Sequence, residues 1–200
     1  MYKRQAVDPV EGTNFVANNL PGGLSVIAVS EENNLFNAPE TYMEKIATGN
    51  NIPKDAIDLD FSVEKNIKNL SDATGKKIDN LTVCLLDRPR HKDIIHRLNK
   101  LGVRIKLITD GDVSGALLVT SKKYDVDMFI GVGGGPEGVL AAAALDAFNC
   151  NFQGRFLFKS KKDISVAKKM GIKDLNKKYD LKEIIRGESC LLYTSPSPRD

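Results

Sequence analysis

The chain has 200 residues, of which 42% are hydrophobic and 28% are charged, a composition typical of a globular protein. Its 29 basic and 26 acidic side chains leave a net charge of +3, which is too close to neutral to indicate a nucleic-acid or membrane partner. Three cysteines without a paired spacing, the lack of a long apolar run and the lack of a signal segment exclude a disulfide scaffold, a zinc module and a membrane protein, and predict a cytoplasmic protein.

The two ends of the chain differ from the rest of the sequence. The first stretch, MYKRQ, and the last, CLLYTSPSPRD, resemble translated sequencing-adapter tails. We therefore predict non-native tails at 1–5 and 190–200, with native disordered termini as the alternative. Between them we predict a first α/β lobe over 6–76 and a second over 77–189.

The first lobe contains few regular patterns. A strand is expected to end at Ala6-Val7 and to run into the motif DPVEGT, and a second strand is predicted over 24–29 after a Pro-Gly-Gly turn. The segment 40–47 receives no assigned type. Ser62 predicts the start of a helix with apolar residues at helical spacing, which ends at Gly75.

From residue 81 onward, short apolar runs alternate with helical patterns. The elements predicted here are strands at 81–86, 103–108 and 126–130, and helices at 92–100, 113–121 and 136–148. This alternation is typical of a parallel α/β sheet with right-handed crossovers. Since ligands of such sheets bind at the carboxyl ends of the strands, we expect the loops there to form the site.

The motif DPVEGT carries two carboxylates close to a strand end. Asp8 and Glu11 can share a hard cation such as Mg²⁺ or Mn²⁺. Gly12 permits a close backbone approach, and the hydroxyl of Thr13 can orient a metal-bound water. The alternative reading, with about equal weight on local chemistry alone, is a turn followed by helix-capping acids.

Two of the polar loops bear arginines and aspartates. Arg88 and Arg90 flank a proline, and their guanidinium groups can bind phosphate, although isolated arginines are more often solvated. Asp110 and Asp112 can hold a metal or sugar hydroxyls, or merely cap a helix. The neighbouring His91 is expected on the surface or on a helix face.

The third polar loop is the glycine-rich segment GVGGGPEGV, which follows a strand and opens a helix. Backbone N–H groups at such a helix start bind anions. The segment has neither the dinucleotide-binding spacing nor the P-loop Lys-Ser/Thr pair. Glu137 suits the helix dipole, but beside a phosphate it also implies a bridging cation.

Five motifs in this order, DPVEGT, NAPETYMEK, DRPRH, DGDV and GVGGGPEGV, together resemble class II fructose-1,6-bisphosphatase, the GlpX family. The resemblance covers nearly all of 6–189. It implies a layered α/β sugar-phosphatase fold, and hydrolysis of the 1-phosphate of fructose 1,6-bisphosphate in gluconeogenesis with Mn²⁺ or Mg²⁺ as cofactor.

The resemblance also implies roles for individual residues. The residues that match metal ligands are Asp8, Glu11 and Glu137. Thr13, with Asp8 and Glu11, matches the catalytic group, because its counterpart helps to activate water. The residues that match substrate contacts are Glu11, Gly12, Thr13, Tyr42, Arg88, Pro89, Arg90, Asp110, Gly111, Asp112 and Gly134.

The family carries further metal-binding acids before DPVEGT and a further C-terminal section, so we expect this chain to be a fragment whose fold is incomplete at the N-terminus. The resemblance implies a homo-oligomer for the complete protein, with no nucleic-acid or membrane partner. The alternatives are added activity on sedoheptulose 1,7-bisphosphate, and a non-catalytic anion-binding or nucleotide-binding module or an inactive fragment.

Overall fold

The computed structural model describes residues 3–187 and 191–196, which form two β-sheets with helices packed on them. A three-stranded antiparallel sheet has the order β1-β2-β9 and consists of β1 (Lys3–Glu11), β2 (Leu24–Glu31) and β9 (Leu191–Pro196). A six-stranded sheet has the order β5-β4-β6-β3-β7-β8 and consists of β3 (Tyr42–Thr48), β4 (Thr82–Leu86), β5 (Arg104–Ile108), β6 (Met128–Gly134), β7 (Asn151–Leu157) and β8 (Lys178–Asp180).

The α-helices connect the strands and cover the sheets. They are α1 (Thr13–Ala17), α2 (Val63–Thr74), α3 (Lys92–Lys100), α4 (Asp112–Leu117), α5 (Gly135–Ala147), α6 (Lys161–Lys169) and α7 (Leu181–Ile184). Among the described residues, no helix has both the length and the apolar character needed to cross a membrane.

An Asp-Pro sequence near the end of β1 makes a β-bulge. The register pairs Asp8 with Val26 and Glu11 with Leu24, so β1 contains one more residue than β2 between these pairs. Pro9 has no N–H to give to the ladder, which favours an irregularity here. Side chains alternate along a strand, so residues three apart normally face opposite sides. The extra residue turns Asp8 and Glu11 to the same side.

Helix α5 lies between the two sheets and contacts strands of both. Its alanine-rich middle, residues 141–144, is completely buried, because small side chains let the helix approach the strands closely. The other face of the six-stranded sheet is covered by α2 and α3, where Ile67 and Leu98 pack against Leu85 in a second apolar cluster. The site described below lies on the α5 side.

The predicted layered α/β fold class is confirmed. Ser62 caps α2 through a hydrogen bond from Lys65 N–H, and Gly75 ends that helix with φ +70°. Helix α3 has the predicted bounds. The prediction of a parallel sheet holds only for β4, β5 and β6, because β3, β7 and β8 pair antiparallel.

The six-stranded sheet contains residues from both predicted lobes. Strand β3 precedes residue 76, yet it hydrogen-bonds to β6 and β7, so the chain passes from one sheet to the other between β2 and β3, and the lobe bounds stay a prediction. The ends excluded from the fold also contribute backbone pairing, since Lys3–Gln5 lies in β1 and Leu191–Pro196 forms β9 beside β2. The remaining parts of the predicted tails, 1–2, 190 and 197–200, lie outside the described residues.

The close approach of α4 to the sheet gives a test of the packing. A Cβ at Gly115 would overlap the end of Ile108 and lie 3.1 Å from the ring of Phe129. We therefore expect Gly115→Ala to destabilise the protein by about 1–3 kcal/mol, because α4 must move away from β6. Thermal unfolding measures this, and an unchanged melting temperature would contradict the packing.

Candidate active site

The centre of the site is the buried carboxylate of Glu11 at the end of β1. Its Oε1 accepts a hydrogen bond from Val113 N–H at 2.6 Å and a longer one from Ser114 N–H at 3.4 Å, both in the first turn of α4. The positive end of a helix favours an anion at this position. Glu11 thereby ties the three-stranded sheet to a helix that follows β5 of the other sheet.

The surroundings of Glu11 disfavour its charge. Burial raises the pKa of Glu11 to about 8, and the nearby carboxylates of Asp8 and Asp112 act in the same direction. The hydrogen bond from Val113 opposes this shift but does not overcome it. An additional cation would relieve the crowding of negative charge at this point.

A second buried carboxylate, Asp112, begins α4 and forms an ion pair with the Lys45 ammonium group of β3. Lys45 is 1% exposed and Asp112 is 8% exposed. The other carboxylate oxygen of Asp112, Oδ1, is buried and has no hydrogen-bond partner among the residues that the structure describes. Such an oxygen can accept a hydrogen bond from a bound ligand or coordinate a cation.

Glycines at the end of β6 leave room for these acids. A Cβ at Gly133 would overlap the carboxylate of Asp112, and one at Gly134 would overlap that of Glu137. Glu137 lies in the first turn of α5, directly after this segment. The glycine-rich sequence therefore lets two carboxylates approach the main chain closely. The sequence analysis placed one acid, Glu137, beside this segment, and the structure adds Asp112 as a second.

Arg88 and Asp110 connect the loops that follow β4 and β5. Arg88 Nη2 pairs with Asp110 Oδ1 at 3.2 Å, and its Nη1 donates to the carbonyl of Thr109 at 2.6 Å. The other oxygen of Asp110 accepts from Asn14 N–H at 2.9 Å, in the first turn of α1. This network places Thr13, the exposed first residue of α1, beside the loop of β5.

The main chain around Gly12 and Gly111 adopts conformations that glycine favours. Gly12 has φ +77° and Gly111 has φ +88°, and each directly precedes a helix of the site. At both positions an added Cβ would also meet a side chain of the helix that follows, namely Phe15 or Ser114. Each glycine therefore allows the chain to turn sharply from a strand end into a helix.

His91 is completely buried and joins the loop of β4 to β6, which corrects the prediction of a surface histidine. Val132 N–H donates to His91 Nε2 at 2.8 Å, so Nε2 is unprotonated and Nδ1–H donates to the carbonyl of Leu86 at 2.7 Å. The adjacent Arg90 donates through Nε to the carbonyl of Val132 at 2.7 Å. Two consecutive side chains thus hold both main-chain groups of Val132.

Tyr42 marks a second part of the site. Two cations lie close to its ring, with Lys159 Nζ 4.3 Å and Arg90 Cζ 5.2 Å from the ring centroid. Tyr42, Lys159, Gly134 and Glu137 line a cavity of about 330 Å³. A larger cavity of about 570 Å³ lies near Cys150 and contains none of the predicted site residues.

The donor set suits a hard divalent cation, since it consists of buried carboxylates and an unpartnered carboxylate oxygen. Asp8 and Glu11 face the same side, as such a site requires. Within the described ranges, however, no three His, Cys, Asp or Glu side chains form a group that could hold a metal by themselves. The predicted ligands Asp8, Glu11 and Glu137 therefore do not meet in one cluster there.

Most predicted site residues fall into these two groups. Around Glu11 lie Asp8, Gly12, Thr13, Arg88, Asp110, Gly111 and Asp112, whereas Tyr42, Arg90, Gly134 and Glu137 lie around the smaller cavity. Pro89 starts the 3₁₀ turn Pro89–His91 between them. Sequence reasoning missed Lys45, His91 and Lys159. A lysine inside an otherwise apolar strand was the available signal for Lys45.

Buried carboxylates, two arginines and several glycine turns thus lie together on one side of a layered α/β fold. Comparison with known proteins identifies the family of the chain. The sequence model of a family described as bacterial fructose-1,6-bisphosphatase, glpX-encoded, matches residues 4–195. The chain belongs to this family.

Several curated relatives are similar over most of the chain. The D-fructose 1,6-bisphosphatase class 2/sedoheptulose 1,7-bisphosphatase of Trichodesmium erythraeum is 37% identical over 198 residues, which cover 93% of this chain and 57% of the relative. The proteins of the same name from Synechocystis sp. and Prochlorococcus marinus are 38% identical, with 93% of this chain and 57% or 60% of the relative covered. The chain thus spans somewhat more than half the length of these relatives.

The raised pKa of Glu11 predicts how stability depends on pH in the metal-free protein. Between the unfolded pKa of 4.5 and the folded value of about 8, the folded state binds more protons, so stability falls as pH rises. Glu11→Gln has no such proton to lose. We expect this variant to exceed the wild type at pH 8 by a few kcal/mol, and by much less at pH 5.

Thermal or urea unfolding in the presence of a chelator measures this difference. Glu31→Gln, an exposed substitution at the end of β2, is the matched control and should give no such trend. A difference between Glu11→Gln and wild type that does not change with pH would contradict the buried, protonated Glu11.

The bridge made by His91 gives a second test. His91→Phe leaves the carbonyl of Leu86 and the N–H of Val132 without partners, so we expect a loss of about 1–3 kcal/mol. The exposed His96→Phe is the control, with an expected change within about 0.5 kcal/mol. Equal effects of the two substitutions would show that the bridge contributes nothing.

His91 also has a pH signature opposite to that of Glu11. Burial lowers the pKa of His91 in the folded protein. Below pH 6.5 the unfolded state therefore binds a proton at His91 more readily than the folded state does, and the free energy of unfolding decreases as pH falls. Unfolding measured between pH 7 and pH 5 should show this loss in the wild type and not in His91→Gln. A parallel decline in both proteins would contradict the assignment.

Proposed function

We propose that this chain carries the phosphate-hydrolysing centre of a fructose-1,6-bisphosphatase that depends on a divalent cation. The reaction would transfer the 1-phosphate to water and yield fructose 6-phosphate and inorganic phosphate. The observation that carries the proposal is the pair of carboxylates Asp8 and Glu11, which a bulge turns to the same side, near the loop after β4 that bears Arg88 and Arg90. Family membership supports the same reading.

Asp8 and Glu11 would hold the cation, with Glu137 as a further predicted ligand. Mn²⁺ and Mg²⁺ both suit carboxylate oxygens. When bound, such a cation polarises the phosphate and lowers the pKa of an adjacent water. Binding also requires Glu11 to lose its proton, so loading of the site should be weaker at low pH.

The other predicted residues would bind and orient the substrate. The hydroxyl of Thr13 would accept a hydrogen bond from the attacking water and align its oxygen opposite the bond between phosphorus and the sugar oxygen. Arg88, held in place by Asp110, and Arg90, held by Val132, would neutralise phosphate oxygens. Asp112 would accept a hydrogen bond from a sugar hydroxyl through its unpartnered Oδ1.

Predictions about the location, assembly and metabolic role of the complete protein accompany this proposal. The complete protein is expected to be a cytoplasmic homo-oligomer with no nucleic-acid or membrane partner. A role in gluconeogenesis, and in glycerol metabolism, would follow from the reaction. These predictions, like the roles of Gly12, Tyr42, Pro89, Gly111 and Gly134 in contacting substrate, await measurement.

Release of inorganic phosphate from fructose 1,6-bisphosphate tests the proposal. We expect release by the wild-type chain with Mn²⁺ or Mg²⁺, and none after removal of the cation with a chelator. Asp8→Asn and Glu11→Gln should each lower the rate by at least about 100-fold, because each removes a charged donor from the cation site. Glu31→Gln serves as the control. Folded wild-type protein that releases no phosphate would favour the non-catalytic binding module.

Thr13→Ala tests the positioning of water. If its hydroxyl aligns the attacking water, kcat should fall about 100-fold while KM changes little. An equal loss in both constants would contradict that role, since it would show that Thr13 contributes only to binding.

Sedoheptulose 1,7-bisphosphate is a second candidate substrate, because the names of the similar proteins include an activity on it. Both substrates present a phosphate on the first carbon of a ketose. Comparing kcat/KM for the two substrates on the same preparation would establish which one the site prefers.

A further inference from the structure

Lys45 occupies an unusual position for a charged side chain. It lies on β3, at the centre of the six-stranded sheet, and it is almost completely buried. The residues paired with it on the neighbouring strands are Gly131 and Gly154, and a Cβ at Gly138 of α5 would lie 3.3 Å from Lys45 Cε. An added side chain at Gly138 would therefore crowd the lysine stem, whereas one at Gly131 or Gly154 would meet His91 or Met43 instead.

The stem of Lys45 passes through the apolar cluster to which Met43 and Ala47, the next residues on the same face of β3, belong. Its ammonium group reaches Asp112 at the start of α4. Among the described residues, Asp112 is the only acidic residue that forms an ion pair with Lys45. The charge of Lys45 therefore acts mainly on the Asp112 carboxylate.

An ion pair of this kind is a poor device for stability alone. Removing two charges from water costs free energy that their attraction only partly returns, and apolar replacements of similar size often stabilise a protein as well or better. The geometry of Asp112 suggests another role. Lys45 holds its Oδ2, Gly133 leaves space for the carboxylate, and Oδ1 is left buried and without a partner.

We propose that Lys45 is a positioning residue that fixes the Asp112 carboxylate so that Oδ1 is presented to a hydroxyl of a bound sugar phosphate. The inference rests on the proposed function for the identity of that ligand. Lys45 itself touches no substrate in this account. It acts through Asp112, and it also balances one negative charge beside Asp8 and Glu11.

The test is a double-mutant cycle on the full chain with Lys45→Met, Asp112→Asn and the double variant. We expect each single substitution to lower kcat/KM for fructose 1,6-bisphosphate about 100-fold, because a misplaced or uncharged Asp112 no longer aligns the sugar. The double variant should be no less active than Asp112→Asn, within about threefold, since Lys45 has nothing left to position. The exposed Lys68→Met on α2 is the control, with activity equal to wild type.

A second readout does not depend on turnover. Calorimetric titration with Mn²⁺ should show that Lys45→Met binds the ion about tenfold more tightly than wild type, because a positive charge near the acids has been removed. The double variant loses one charge of each sign and should return to within about threefold of wild type. A merely structural lysine would change the folded fraction, measured by circular dichroism, without this reversal.

The outcomes separate the two claims. Wild-type protein that binds Mn²⁺ but releases no phosphate contradicts the proposed function, while the Mn²⁺ affinities of the three variants still support or overturn the coupling of Lys45 to Asp112. A further 100-fold loss on adding Lys45→Met to Asp112→Asn overturns the proposal, because Lys45 then acts independently. If Lys45→Met alone does not fold, the activity of Asp112→Asn is compared with that of the double variant, which lacks both charges. Equal activities support the proposal, and a further 100-fold loss in the double variant overturns it.

Discussion

The hydrogen bond from Val113 N–H to Glu11 Oε1 holds together the parts of the site. Glu11 ends a strand of the three-stranded sheet, whereas Val113 lies in the first turn of the helix that follows β5 of the other sheet. The same turn contains Asp112, which Lys45 pairs with from the centre of the six-stranded sheet. One buried carboxylate therefore fixes the relation between Asp8 and the residues of α4, and any change in its charge acts on both sheets.

This arrangement brings negatively charged side chains close together, and their mutual repulsion is unfavourable. The carboxylates of Asp8, Glu11 and Asp112 lie near one another beside the buried ammonium group of Lys45, and burial raises the pKa of Glu11 to about 8. A cation bound by Asp8 and Glu11, as proposed above, would relieve this repulsion. The glycines beside Asp112 and Glu137 serve the same end, since a side chain there would displace the carboxylates.

The sequence predicted the elements whose pattern is local. Helix α2 has a serine cap, a helical apolar period and a terminal glycine, and helix α3 has a strong amphipathic pattern. Strand β3 was missed because Glu44 and Lys45 interrupt its apolar pattern, and the buried position of Lys45 depends on Asp112 and Gly138, which are distant in sequence. Strand β7 alternates buried phenylalanines with more exposed residues, so a signal for it was present in 151–157.

The candidate site likewise combines features that the local sequence predicted with features that depend on tertiary structure. The motifs identified the acids, arginines and glycines, because their spacing and residue types are visible in the chain. The bulge that turns Asp8 and Glu11 to one side follows from the register with β2, and the bridge made by His91 depends on two strands meeting. Such relations arise only from tertiary pairing, which one sequence does not specify.

The most direct test of this account is the number of protons released when Mn²⁺ binds at pH 7, measured by calorimetry in buffers of different ionisation enthalpy. If Glu11 is buried and protonated in the metal-free protein and becomes a ligand, wild type should release about one proton per ion, and Glu11→Gln should release almost none. Tight binding of Mn²⁺ without proton release, or equal release by both proteins, would contradict the central role given to Glu11.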